Sequence, residues 1–205
     1  MAKRNTRQEL IDAALAYIDT KGLDGLTLRS LGAELGLHHT ALYRHFRSKE
    51  DLLDSIFRSL LADALASVPD DIKDPRARVT ALCLAVRGVF AAHPGLSAAI
   101  VQGAGMLDES VDLQRAVLSS LREMGVAEDI LGRVYQALES YVLGSALYDF
   151  ANAPHHSAER AQRYEHVADP VLAVHGVSLE ATAAHTEDSF RWGLDAVLDS
   201  ALRAT

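Results

Sequence analysis

Apolar residues recur at helical spacing along almost the whole chain, and no stretch shows the alternating, β-branched pattern of a half-buried strand. Ile11, Ala14, Leu15 and Ile18 follow the i, i+3, i+4, i+7 template of an amphipathic helix. Thr6 and Glu9 have capping-box spacing at its start, and Gly22 marks its end. Leu28, Leu31 and Leu35 predict a second, short helix stopped by Gly36, and a third is expected from about His38 to Phe46. Ser48 and Asp51 repeat the capping-box spacing before a stripe of Leu53, Ile56, Phe57, Leu60 and Ala64. Val68 to Asp74 is a polar break. Asp74-Pro75 then reads as an N-cap followed by Pro at the first helical position, opening a helix that Pro94-Gly95 ends. Further helices are expected over Gly95 to Val101, Asp108 to Met124, Ala127 to Ala153, Ala158 to Val167 and Leu179 to Ala204, with loops at Ala153 to Ser157 and His175 to Ser178.

The expected fold class is therefore all-α. The expected domains are an N-terminal three-helix helix-turn-helix head over 1–50, a connecting helix and linker over 51–73, and a larger C-terminal helical bundle over 74–205. The lone Cys83 allows neither an internal disulfide nor a two-Cys metal site, which suits a reducing compartment. Apolar runs fall well short of the roughly 18 residues that a spanning helix needs. The basic start is followed by an amphipathic segment carrying Glu9 and Asp12, unlike a secretory signal. A cytoplasmic protein with no membrane partner is expected.

Charge separates the two ends. The chain has 20 Lys and Arg against 28 Asp and Glu, a net charge of −8, but nine of the basic and eight of the acidic residues lie within residues 1–60. A near-neutral head with basic clusters on an acidic body suits a DNA reader whose remaining mass is repelled by phosphate. Within that head, Leu31, Leu35, Leu37 and Leu42 are expected to fill the interior between two short helices. Gly32 and Ala33 are expected to let the helices cross closely. This is the helix-turn-helix pattern, whose second helix enters the major groove. With the leucines inward, His39, Thr40, Tyr43 and Arg44 face outward toward base edges or phosphates. A guanidinium can read guanine bidentately, whereas hydroxyls and imidazoles more often touch phosphate. Lys3, Arg4 and Arg7 read equally as a tail or as an arm reaching phosphate or the minor groove. Arg47 and Arg58 read as solvated, or as paired with Asp51 or Asp54.

The run Thr40-Ala41-Leu42-Tyr43-Arg44-His45-Phe46-Arg47-Ser48-Lys49-Glu50-Asp51-Leu52-Leu53, with the first helix and the turn, resembles the DNA-binding domain of the TetR family of bacterial transcriptional regulators. The motif match covers residues 6–57; the later helices match the family in number and length only. The resemblance implies DNA contacts from Thr27 and Arg29 at the start of the second helix, and from His39, Thr40, Tyr43, Arg44 and His45 on the recognition helix. It places Tyr43 and Lys49 at common phosphate-contact positions, Lys49 at a helix N-terminus. His38-His39 departs from the family's usual small or polar residues, which bears on the operator sequence.

The resemblance further implies double-stranded operator DNA and a small-molecule effector as partners, a homodimer through the last long helices, and release of a repressor from DNA. Phe190, Leu194, Val197, Leu198 and Ala201 form a stripe wide enough for an internal core and a partner face. A mostly apolar pocket with a few polar groups is expected among Phe90, His93, Leu96, Ile100, Met106, Leu107, Leu138, Tyr141, Val142, Ser145, Tyr148 and Asp149. For each of these alone, plain core packing competes. Glu139 and Asp149 are acidic residues set in the interior of the apolar segment 127–153. No cofactor, catalytic group or metal is expected. The six histidines beyond residue 60 (His93, His155, His156, His166, His175 and His185) lack i, i+3 or i, i+4 spacing, and HExxH is absent. The alternatives are a helical-bundle enzyme and a protein-interaction scaffold without DNA binding.

Overall fold

The structure, a computed structural model, describes residues 6–96, 99, 111–150 and 179–204; the side chains of residues 39, 148–150 and 179–186 are outside this description. The fold is all-α. The described residues form helices α1 (Arg7–Lys21), α2 (Leu28–Glu34), α3 (His39–Leu42), α4 (Lys49–Ser67), α5 (Pro75–Ala92), α6 (Val111–Glu123), α7 (Glu128–Phe150) and α8 (Leu179–Arg203), with a 3₁₀ turn at Pro94–Leu96. No helix among them is long and apolar enough to cross a membrane.

Local sequence sets the helix ends. The Thr6 hydroxyl accepts from the Glu9 N–H at 3.2 Å, and the Glu9 carboxylate accepts from the Thr6 N–H at 2.8 Å. These bonds satisfy two otherwise orphaned donors. Thr27 and Ser30 form an equivalent box at the start of α2. At its end, Gly36 takes φ 63°, the Leu37 N–H bonds the Gly32 carbonyl at 2.8 Å, and the Gly36 N–H bonds that of Ala33 at 3.2 Å. This Schellman arrangement makes the tight turn between α2 and α3. Asp74 caps α5 through the Arg76 N–H at 3.1 Å, with Pro75 in the first turn.

Four expectations change in detail. The third helix is only His39–Leu42, because the His45 and Phe46 N–H groups both converge on the Leu42 carbonyl at 2.9 Å and tighten the segment into a turn. At α4, Ser48 accepts from Asp51 as expected, but the Asp51 carboxylate reaches back to the Arg47 N–H at 2.8 Å, one residue before the cap. Gly32 is buried at the helix crossing, whereas Ala33 is exposed, and Leu35 and Leu37 are only half-buried. The segment from Gly95 begins as a 3₁₀ turn. The expected starts near Asp108, the helix Ala158 to Val167 and both later loops lie outside the described residues.

Two apolar cores hold these helices. The first joins Leu10, Ala14, Ile18, Leu31, Leu42, Phe46, Leu52 and Ile56 of the head to Phe90, Leu96, Ala99 and Ala146 of the body. The Phe57 and Phe90 rings lie 6.3 Å apart at this junction. The second core gathers Val79, Leu82 and Cys83 of α5, Val117 and Leu121 of α6, Leu131, Val134, Leu138 and Val142 of α7, and Phe190, Leu194 and Leu198 of α8. Fully burying a side chain of this size contributes about 1.5–3 kcal/mol. The α8 stripe is thus spent within the chain: Leu194 and Leu198 are 0% exposed and Ala201 5%, leaving only Val197 half-buried. Most of that stripe therefore packs inside the chain against α5 and α7.

Candidate functional site

The helix-turn-helix presents one polar face. Thr27, Arg29, Thr40 and Arg44 are exposed, Tyr43 is 55% exposed and His45 is half-buried. Beneath them Leu31 and Leu42 are fully buried, which fixes the rotation of both helices and turns these side chains outward. The His38 Nδ1 and Thr40 hydroxyl share a hydrogen bond of 2.8 Å at the start of α3. His39 opens that helix, and its side chain lies outside the described residues. The Thr27 hydroxyl accepts the Ser30 N–H at 2.9 Å as the cap of α2.

Lys49 is held differently from the other candidates. It is half-buried, and its ammonium donates to the Leu23 carbonyl at 2.9 Å, fastening the start of α4 to the α1–α2 loop. Two of its three N–H donors remain for other acceptors. Arg7 is neither tail nor arm. It stands in the first turn of α1, its Nη2 donates to the Ser55 hydroxyl at 2.6 Å, and its guanidinium lies 5.0 Å from the centre of the Phe46 ring. Lys3 and Arg4 lie outside the described residues.

The twelve body candidates are spread over several environments. Phe90 and Leu96 belong to the core shared with the head, and Leu138 and Val142 to the body core. His93 caps the C-terminus of α5 and faces α1. Tyr141 stacks on Phe190 at 5.1 Å between ring centres and donates to the Phe190 carbonyl at 3.1 Å. A side chain at Gly193 would run into the Tyr141 ring, so that glycine permits the close α7–α8 approach. Ser145 accepts from Arg87 Nε at 3.1 Å. Ile100, Met106 and Leu107, and the side chains of Tyr148 and Asp149, lie outside the described residues.

Sequence reasoning missed Arg87. It is 7% exposed, with its guanidinium 4.9 Å from the centre of the Phe190 ring. The signal was present: one cation on the apolar face of Val79, Leu82, Val86 and Phe90. Buried cations are costly unless well partnered, so such a residue ties elements together. Also missed is an open groove of about 400 Å³ between α5 and α8, lined by Ala77, Thr80, Ala81, Leu84, Arg76 and Arg191. Arg76 closes one end of it, bridging to Asp195 at 2.8 Å and Asp199 at 2.6 Å, and these carboxylates raise its pKa further. Burial pushes the Cys83 thiol up to about 12, which keeps it protonated and unreactive near neutrality. Among the described residues no three His, Cys, Asp or Glu side chains gather as a metal site would require.

These elements define a helix-turn-helix protein whose head is seated on a larger helical body. Comparison with known proteins gives the family. Residues 10–56 match the profile of the bacterial regulatory proteins of the TetR family, and residues 68–202 match the tetracyclin repressor-like C-terminal domain. The chain belongs to the TetR family. It is 31% identical over 147 residues, 69% of its own length, to the HTH-type transcriptional repressor DrrR1 of Streptomyces coeruleorubidus; it spans about half (52%) of that relative. A possible TetR family transcriptional regulator from Streptomyces coelicolor A3(2) superposes with a TM-score of 0.76 at 25% identity, covering 97% of this chain and 99% of that one. The S. coelicolor TetR family protein ActR in complex with (S)-DNPA superposes with a TM-score of 0.73, covering 100% of both chains. At 21% identity that likeness concerns the fold alone.

Proposed function

We propose that this chain is a homodimeric transcriptional repressor that binds double-stranded operator DNA and is released from it by a small molecule. The observation that carries the reading is the outward face formed by Thr40 on α3 and by Tyr43 and Arg44 in the turn that follows it, over a fully buried Leu42. That geometry offers hydroxyl and guanidinium groups to a groove, and Thr27 and Arg29 extend the same polar face from α2. The resemblance to a named repressor supports the sign of regulation. A family fold that holds a small molecule in ActR supports an effector in the body.

The dimer reading now rests on other residues than the α8 stripe. Trp192 is 76% exposed. On neighbouring α7, Gly132, Ala137, Ser140 and Gly144 are exposed, and a side chain at either glycine would meet nothing. A large exposed apolar side chain on α8 and small exposed residues on α7 suit close packing against a second copy, which two recognition helices need to span half-sites about 34–36 Å apart. The reading is of a binding protein, not an enzyme, working in the cytoplasm. A gel shift with duplex DNA selected from a random pool by the protein itself tests it. Specific, salt-sensitive binding by a dimer is expected; enrichment of no sequence at any salt concentration overturns it.

A further inference from the structure

We propose that Arg7 is a positioning residue for DNA reading: its guanidinium braces the turn that follows the recognition helix, and so sets how Tyr43 and Arg44 are presented. The inference rests on the DNA-binding reading above. It starts from a local misfit. Arg7 occupies the first turn of α1, where the helix dipole disfavours a cation and Asp or Glu is the expected choice. Its side chain finds its partners elsewhere in the head. Nη2 donates to the Ser55 hydroxyl at 2.6 Å while the guanidinium lies 5.0 Å from the centre of the Phe46 ring. A guanidinium can lay its plane over the ring while Nη2 donates sideways to the hydroxyl; a lysine has a single charged nitrogen to divide between ring and hydroxyl.

What Arg7 touches is the end of the recognition segment. Phe46 is 1% exposed, and its N–H bonds the carbonyl of Leu42, itself 0% exposed, at 2.9 Å. Tyr43, Arg44 and His45 are therefore slung between two buried anchors one turn apart. Arg7 covers a face of the second anchor. Ser55 is 3% exposed; its hydroxyl accepts from Arg7 and donates to the Asp51 carbonyl at 2.6 Å. The Asp51 carboxylate in turn accepts the Arg47 N–H at 2.8 Å, immediately after Phe46. One guanidinium thus links the starts of α1 and α4 to the exit of α3.

The test uses the full chain and two duplexes: one selected from a random pool by the wild type, and a scrambled version of it. Affinities for both are measured across a salt series. Arg7→Met keeps an apolar stem over Phe46 but removes the charge and the bond to Ser55. It should lower the ratio of selected to scrambled affinity about 10-fold, with the salt slope unchanged. Arg7→Lys should not restore the ratio. An equal loss on both duplexes with a salt slope smaller by about 1 would identify a phosphate contact instead and overturn the proposal. So would full rescue by Arg7→Lys, or no loss at all. If Arg7→Met melts the head, Ser55→Ala replaces it. That variant deletes the acceptor and leaves Arg7 charged; the same loss of discrimination is expected, and an unchanged ratio overturns the proposal. A wild type that enriches no duplex overturns the DNA-binding reading itself, an outcome distinct from all of these.

Discussion

The imidazole Nδ1 of His93 lies 2.8 Å from Oδ2 of Asp19, so the C-terminus of α5 is fastened directly to α1 of the head. Two residues on, Gly95 is packed so closely on Ile18 that a β-carbon there would stand 2.8 Å from the Ile18 Cγ2 and 3.1 Å from its carbonyl oxygen. Head and body therefore meet through an ion-pair position and a backbone contact with no slack, over the shared core of Phe57, Phe90 and Leu96.

Gly95→Ala tests the closeness of that contact. The Ile18 side chain is β-branched and 1% exposed, and its carbonyl is fixed in α1, so the methyl forces α1 off the turn. A loss of about 1–3 kcal/mol is expected in urea unfolding, as for other overpacked sites. A wild-type midpoint would show that the junction yields.

On the DNA face, Arg44→Ala should cost about 1–3 kcal/mol of operator binding and relax preference at one position per half-site. Tyr43→Phe should weaken all sequences alike. Lys49→Ala should do the same and also lower thermal stability, because its bond to the Leu23 carbonyl is lost. Competition gel shifts with single-base variants, together with melting curves, separate the three.

For assembly, Trp192→Glu and Leu194→Glu should differ. Trp192 is 76% exposed in the single chain, so a charge there leaves the fold intact and yields a folded monomer in sedimentation. Leu194 is 0% exposed, so a charge there is buried unpaired, at a cost of several kcal/mol, and the body unfolds. A dimer that survives Trp192→Glu would remove α8 from the interface.

Cys83 gives a pH dependence whose sign is fixed by its burial. Its thiol is raised from 9.0 to about 12 in the folded chain. Above pH 9 the unfolded chain releases this proton while the native one keeps it. Stability therefore falls as pH rises from about 9 toward 12. Cys83→Ala should flatten that part of the profile, and a thiol reagent should label the native wild type only at the rate of unfolding.

Much of the head, and the start of the body, was legible in the sequence. The Thr6–Glu9 box, the Asp74 cap, the Gly36 turn and the Leu31 and Leu42 interior all follow from residues within one or two turns of each other. So does the outward set Thr40, Tyr43 and Arg44, since it is the side of the segment away from the buried Leu42. The third helix was overextended because nothing local reports that His45 and Phe46 share one carbonyl. The body was less legible. Its stripes are apolar on enough of their circumference that a core face and a partner face look alike in a linear pattern.

The choice of an all-helical fold and the helix starts at Thr6 and Asp74 were determined by the sequence alone, because periodicity and capping bonds at separations of two to five residues dictate them. Tertiary structure decided the rest. It turned Arg7 back onto Phe46, put Arg87 over Phe190, joined His93 to Asp19, and consumed the α8 stripe inside the chain while leaving Trp192 outside. Each of these pairs residues far apart in the chain. Their energies come from which surfaces are buried together and which charges lose water, and neither quantity exists until the helices have packed.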